Sequence, residues 1–164
     1  FGQTRTLGAE LGARVAWQTR MGVDTSLTGL WAVQTTPDPT LEGRPVPFVA
    51  PFRSWTRGWA RPVEALTLSL DVDHTRAVPV DAQGITRQPA RTLLSAMMAV
   101  TIVRRFTVSL QVDNLLDART GRVDRDPLSQ DDTQVAAPIT DFVGYPLPGR
   151  TVWAAVRYAP GRTP

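Results

Sequence analysis

Several ionisable side chains stand at spacings that could support chemistry. Asp71 and Asp73 are two residues apart, so on a β-strand both carboxylates would point to the same side. Such a pair could act in general acid–base catalysis, but we favour a structural role, lining a polar interior opposite arginines. His74 is the single histidine and shares the parity of the neighbouring leucines, which predicts an interfacial residue rather than a ligand.

A cluster of aspartates could supply the oxygen ligands that calcium prefers. The spacing differs from that of an EF-hand loop, so we favour a solvated acidic loop; the members are Asp124, Asp126, Asp131 and Asp132. The chain has no Gly-x-Ser-x-Gly segment, no glycine-rich phosphate loop after a strand and no cysteine. We therefore predict no catalytic, cofactor or metal site and no enzyme activity.

Charge and hydropathy exclude further classes of protein. The 18 basic residues, all arginine, are scattered among 15 acidic residues for a net charge of +3, which gives no basic block for a nucleic-acid partner. Hydrophobic residues make up 42% of the chain, and no apolar run reaches the roughly 18 residues of a membrane helix. A membrane β-barrel stays possible, because its strands are only half apolar.

Apolar and polar residues alternate with a period of two, as in β-strands with one buried face. In the clearest stretch, Leu66, Leu68, Leu70 and Val72 alternate with Thr67, Ser69, Asp71 and Asp73. The pattern predicts an all-β, antiparallel chain with strands at about residues 4–17, 23–35, 52–61, 64–75, 92–102, 106–114 and 151–158.

The third of these strands has an ambiguous register. Its arginines share parity with its tryptophans: Arg53, Arg57 and Arg61 with Trp55 and Trp59. An arginine at the middle of the lipid face would cost roughly 2–4 kcal/mol. Either both tryptophans point inward with the arginines, or a bulge shifts the register, and the sequence leaves both alternatives open.

Short and long connections alternate between the predicted strands. The short ones lie near residues 19–22, 61–65 and 103–105, and the long ones near residues 36–51, 76–90 and 118–149. This asymmetry is typical of up-and-down outer-membrane β-barrels, with short periplasmic turns and long extracellular loops. Seven strands would leave two unpaired edges, so we expect these residues to be a fragment of a larger barrel or a subunit of a split one.

Two segments carry a family resemblance. Residues 108–117 run from an alternating strand into Asn-Leu-Leu-Asp, and residues 144–151 read Gly-Tyr-Pro-Leu-Pro-Gly-Arg-Thr before a last alternating strand that ends at Tyr158. Together they resemble the last two strands of TonB-dependent outer-membrane receptors, and Gly8 and Glu10 are similar to a glycine–glutamate strand of that family. The residues of the resemblance are Gly8, Glu10, Asn114, Leu115, Asp117, Gly144, Tyr145, Pro146, Pro148, Gly149, Arg150 and Tyr158.

These residues suit structural tasks. Asn114 and Asp117 can bond back to the backbone and stop the strand ladder. Pro146 and Pro148 favour an extended approach to the last strand, and Gly149 would permit a tight bend. None of these roles is catalytic.

The resemblance implies residues 1–164 of a receptor barrel of about 22 strands, located in the bacterial outer membrane. It implies import of a large scarce nutrient of siderophore, cobalamin or glycan type. The implied partners are the remaining strands, a plug domain, TonB, lipid and the barrel-assembly machinery; the plug and the TonB-binding box have no counterpart in these residues. The alternative is a scaffold subunit of a split or degenerate barrel without transport. The lumen-facing candidates are Arg14, Asp71, Asp73, Gln111 and Arg157.

Overall fold

The computed structural model describes residues 2–102, 105–124, 134–141 and 144–159. No helix within these residues is long and apolar enough to span a membrane. The strands are β1 Gln3–Trp17, β2 Met21–Thr35, β3 Phe52–Val63, β4 Leu66–Thr75, β5 Val78–Pro79, β6 Arg87–Gln88, β7 Arg91–Ile102, β8 Phe106–Asp113, β9 Thr120–Asp124, β10 Gln134–Pro138 and β11 Thr151–Tyr158.

Seven strands form one antiparallel sheet in the order β1-β2-β3-β4-β7-β8-β11. They correspond to the seven strands predicted from the alternating pattern, so the predicted all-β, up-and-down arrangement is confirmed. β1 and β11 are the two edges of the sheet. Two short hairpins, β5–β6 and β9–β10, lie within long connections and were not predicted, because segments this short show no alternation.

The sheet has one apolar face and one polar face. On the apolar face, Leu68 pairs with Met98, and Met98 pairs with Leu110. These side chains are uncovered; Leu70 on the same face is 46% exposed. On the polar face, Ser69 and Thr75 are each only 8% exposed. The large apolar side chains therefore lie on the uncovered face of the sheet, whereas a water-soluble domain would bury them.

The structure decides the register of β3. Trp55 pairs with Asp73 and Arg57 with Asp71, so tryptophans and arginines share the polar face. The register does shift, but between Ala60 and Val63, beyond Trp59. Both tryptophans thus share a face with Arg53 and Arg57, and the bulge lies at the turn toward β4. That this face points into a lumen stays a prediction.

The long connections pack against one another at one end of the sheet. The Phe48 N–H donates to Pro79 O at 2.7 Å, and the Gln88 side chain donates to Asp141 O at 2.9 Å. Asp81 closes the β5–β6 turn. Hydrogen bonds from Thr86, mainly from its hydroxyl and secondarily from its N–H, lower the pKa of Asp81 to about 2. Ile139, also in this layer, is the most buried apolar residue described, at 4% exposure.

The two faces can be tested with neighbouring residues of β8. We expect Leu110→Arg to reduce folded protein strongly in lipid, because a guanidinium at the middle of the lipid face costs roughly 2–4 kcal/mol. Ser109→Arg, on the polar face, is the matched control and should fold with a yield close to the wild type. The fraction of heat-modifiable protein after refolding measures both variants. Equal losses would show that the two faces are not distinguished by lipid.

Candidate functional site

A row of alternating charges crosses the polar face of the sheet. Arg14 of β1, Asp24 of β2, Arg57 of β3 and Asp71 of β4 are paired successively in the strand register. Arg14 Nε donates to Asp24 Oδ1, and Arg57 Nε donates to Asp71 Oδ1 at 2.6 Å. Opposite charges on directly paired residues stabilise neighbouring strands, so the row joins four strands at one level.

A second ion pair lies beside this row. Arg53 Nη2 donates to Asp73 Oδ2 at 2.9 Å, and the Arg57 guanidinium lies 5.2 Å from the ring centre of Trp55, within range of a cation–π interaction. Ser26, Thr28, Arg53, Trp55 and Asp73 line a pocket of about 300 Å³. The polar face therefore offers a recessed site with charged, hydroxyl and aromatic groups.

The guanidinium groups extend farther from the sheet than the carboxylates. The side chain of Arg53 is 60% exposed and that of Asp73 is 22% exposed; for Arg57 and Asp71 the values are 44% and 16%. The carboxylates are sheltered near the backbone, while the cationic ends of the arginines are accessible. An incoming anionic group would therefore meet arginine first.

The residues considered for chemistry are placed differently. Asp71 and Asp73 each bind their own arginine rather than each other. His74 lies on the apolar side, where its Nδ1 is 2.9 Å from Thr92 Oγ1 and its ring is 6.4 Å from that of Phe52. Within the described part of the chain, no group of three or more His, Asp or Glu side chains could hold a metal ion. Most of the acidic loop, residues 125–133, lies outside the described residues.

The five candidates for the lumen all belong to the polar face. Arg14, Asp71 and Asp73 take part in the ion pairs above, Gln111 pairs with Met97 and Trp153, and Arg157 pairs with Thr107. That these residues line a lumen stays a prediction. Sequence reasoning missed Asp24, Arg53 and Arg57 as members of the site. Opposite charges on adjacent strands would have identified these residues, but such pairs can be recognised only when the strand register is known.

The two motif segments meet at the loop end of the sheet. Asn114, at φ 50° and 5% exposure, accepts from the Ala118 N–H and donates to Ala118 O, both at 2.9 Å. The expected bonding of Asn114 back to the backbone is confirmed. Asp117 also bonds to a backbone group, which belongs to the other segment: it accepts from the Arg150 N–H at 2.8 Å, and in addition from Arg119 Nε at 3.0 Å. Arg150 Nε donates to Leu115 O at 3.1 Å, which completes the junction.

The glycines and aromatic residues of the motif have distinct roles. Among these glycines, Gly144 has a positive φ of 100°, whereas Gly149 does not and lies in a crowded position just before a bend at Arg150. A Cβ at Gly149 would lie 2.5 Å from Asp117 Oδ1. Tyr145 is exposed, and the Tyr158 ring lies 4.9 Å from that of Phe106. Pro146 forms a bridge with Thr140, while Pro148 O accepts from Asn114 Nδ2 at 3.3 Å.

The upstream part of the motif lies on β1. Gly8 and Glu10 both belong to the polar face, where Gly8 pairs with Leu30 and Glu10 pairs with Thr28.

Comparison with solved structures identifies the fold. The ferric yersiniabactin uptake receptor FyuA from Yersinia pestis matches with a TM-score of 0.71 and 22% identity over 96% of this chain and 24% of that one. The siderophore receptor PiuA from Acinetobacter baumannii gives 0.71 and 16% over 96% and 22%. The copper transporter OprC gives 0.64 and 18% over 94% and 24%.

This chain has the fold of a receptor-barrel segment. The resemblance to TonB-dependent receptors is thereby confirmed at the level of the fold. The chain spans about a quarter of the length of these structures. No protein-family model and no curated protein matches its sequence.

The ion pair across β3 and β4 predicts a measurable coupling. In a double-mutant cycle of Arg57→Met and Asp71→Asn, we expect a coupling free energy of about 0.2–1 kcal/mol, because both groups border water. The coupling should fall in 1 M salt, where screening is stronger. Urea unfolding in lipid measures it. Arg157→Met with Asp71→Asn is the control, since β4 and β11 are not adjacent, and their effects should add.

The Asp117 junction predicts a dependence on pH. The Arg150 N–H, and secondarily Arg119, lowers the pKa of Asp117 from its usual 3.8. A carboxyl whose pKa is lower in the folded state stabilises that state fully above its unfolded pKa and loses this effect as pH falls through the folded pKa. Wild-type stability should therefore drop below about pH 4 more than that of Asp117→Asn. Parallel pH profiles of unfolding for the two proteins would contradict this role.

Proposed function

We propose that this chain is part of an outer-membrane receptor that imports a large, scarce nutrient of siderophore, cobalamin or glycan type. The observation that carries the proposal is the seven-stranded sheet with an uncovered apolar face and an ion-paired polar face, in the fold of uptake receptors. Lipid would cover the apolar face, and the barrel-assembly machinery would insert the strands. The ionisable groups of the polar face are paired with one another, which suits residues that line the wall of a barrel.

The polar face would contact a plug domain and the passing nutrient. Its accessible guanidinium groups, among them Arg53 and Arg57 beside the pocket, favour carboxylates and other anionic groups on the facing surface. The structural neighbours, a ferric yersiniabactin uptake receptor, a siderophore receptor and a copper transporter, favour a metal complex among the nutrient classes. In this proposal TonB would supply energy through the part of the receptor that binds it.

Uptake by the complete protein tests the proposal. The intact receptor is expressed in an outer membrane that lacks its own receptors, and cells are given labelled ferric siderophores, cobalamin or oligosaccharides. We expect saturable uptake of one class that is lost in cells without TonB. A folded, membrane-inserted protein that takes up none of these would favour the alternative, a scaffold subunit of a split or degenerate barrel.

Orientation in the outer membrane gives a separate prediction. Cysteines at Pro39 and Gln83, exposed in the long connections, should react with an impermeant maleimide on intact cells. Cysteines at Arg20 and Glu64, exposed in the short turns at the other end, should react only after the outer membrane is opened. The physical reason is that short turns face the periplasm in such barrels. Labelling of both pairs at the same rate on intact cells would contradict the assigned orientation and location.

A further inference from the structure

Glycines on the polar face are covered by large side chains from the strand next to them. Gly8 pairs with Leu30, and a Cβ at Gly8 would lie 2.5 Å from Leu30 Cδ2. Gly22 pairs with Trp59, and a Cβ there would lie 2.7 Å from Trp59 Cζ2. Such cross-strand covering of glycine shields its backbone and fixes the register of the pair.

Gly12 departs from this arrangement. Its partner on β2 is Ser26, which is too small to cover it, and a Cβ at Gly12 would meet only Thr25 O, at 3.9 Å. Gly12 lies on β1, the edge of the sheet, so its other side is open. The space above Gly12 is available to a side chain that arrives from that open side.

The charge next to Gly12 is also incompletely matched. Arg14 follows two residues later on the same face and ends the row of alternating charges at the open edge. It binds Asp24, yet its side chain remains 76% exposed. Within the row, Asp24 and Arg57 each have an opposite charge on both neighbouring strands. The end members have one on a single side: Asp71 meets Ser95 on β7, whereas the second side of Arg14 is the open edge.

From these two observations we infer that the open edge of β1 docks an antiparallel strand with a bulky apolar or aromatic residue directly opposite Gly12. The same strand carries a carboxylate two residues before the bulky one, which the antiparallel register places opposite Arg14. This inference rests on the proposed function, because it takes the partner to be another strand of the complete receptor. It adds the chemistry and the register of that strand.

Disulfide trapping in the complete receptor tests the inference. Gly12→Cys is combined with single cysteines along the strand that neighbours β1. Directly opposed residues of antiparallel strands have Cα atoms roughly 4.5–5.5 Å apart, within the range for a disulfide, whereas a shift of one residue turns the side chain to the other face. We expect one strong cross-link, at a position that is natively Leu, Ile, Met, Phe, Tyr or Trp, with Asp or Glu two residues earlier.

The outcomes separate the inference from the function on which it rests. A cross-link at any other native residue, or at a bulky residue without the preceding carboxylate, would overturn the inference and leave the barrel segment intact. No cross-link from any position in folded receptor would also overturn the inference, whereas the proposed function would fall only if the folded receptor took up none of the labelled nutrients. Leu11→Cys is the register control, since it points to the apolar face and should link to the position next to the one trapped by Gly12→Cys.

A glycine substitution provides a second measurement. Gly12→Leu should collide with the bulky side chain and lower the folding equilibrium constant of the complete receptor about tenfold. Gly58→Leu is the matched control, because Gly58 is a strand glycine of the apolar face with nothing within 4 Å of its Cβ position. Equal folding of the two variants would overturn the inference, since the space over Gly12 would then be empty in the receptor.

Discussion

Backbone groups in contact with lipid need hydrogen-bond partners within the protein, since hydrocarbon offers none. Seven long strands in antiparallel register meet this need for every strand between β1 and β11. Once the backbone is paired in this way, alternate side chains fall on opposite faces, and in the proposed barrel wall the lipid on one face and the water on the other would select different residues. On β4, for example, leucine and valine occupy one face, and aspartate and serine occupy the other. The two-sided sheet thus follows from backbone pairing rather than from a buried core.

The same constraint explains where the described chain is tightly packed. The uncovered apolar face, which the proposed barrel would turn to lipid, supplies no protein core, so Ile139 and Asn114, both outside the main sheet, are among the most buried of the described residues. The C-terminal part of β2 extends beyond the start of β3 and is paired with the following loop. Ala32 O accepts from the Val46 N–H at 3.1 Å, and the Leu30 N–H donates to Pro51 O at 3.0 Å. Loops therefore continue the pairing where the neighbouring strand has ended.

The strands could be predicted from the sequence, because the alternation of apolar and polar residues within a strand follows from its two faces. This alternation can be recognised without knowing which strands are adjacent. The β5–β6 and β9–β10 hairpins could not, since their pairing depends on contacts between loops, such as Gln88 with Asp141. The ion pairs could not be assigned either. Arg57 meets Asp71 only because the bulge lies beyond Ala60, and a shift of one residue between Arg53 and Arg57 would have placed these two arginines on opposite faces. Likewise, the sequence alone suggests that Gly149 is needed for backbone flexibility, whereas the structure shows that the Asp117 carboxylate leaves no space for a Cβ there.

Ion pairs on the polar face contribute more to register than to stability. Each pair that borders water contributes at most about 1 kcal/mol, which is small beside the hydrogen bonds of the ladders. A strand displaced by two residues would keep its faces and its backbone bonds, so the hydrophobic pattern alone does not exclude it. It would, however, move Arg57 away from Asp71 and Trp59 away from Gly22. Paired charges and covered glycines are therefore the features that select one register among those that the two faces allow.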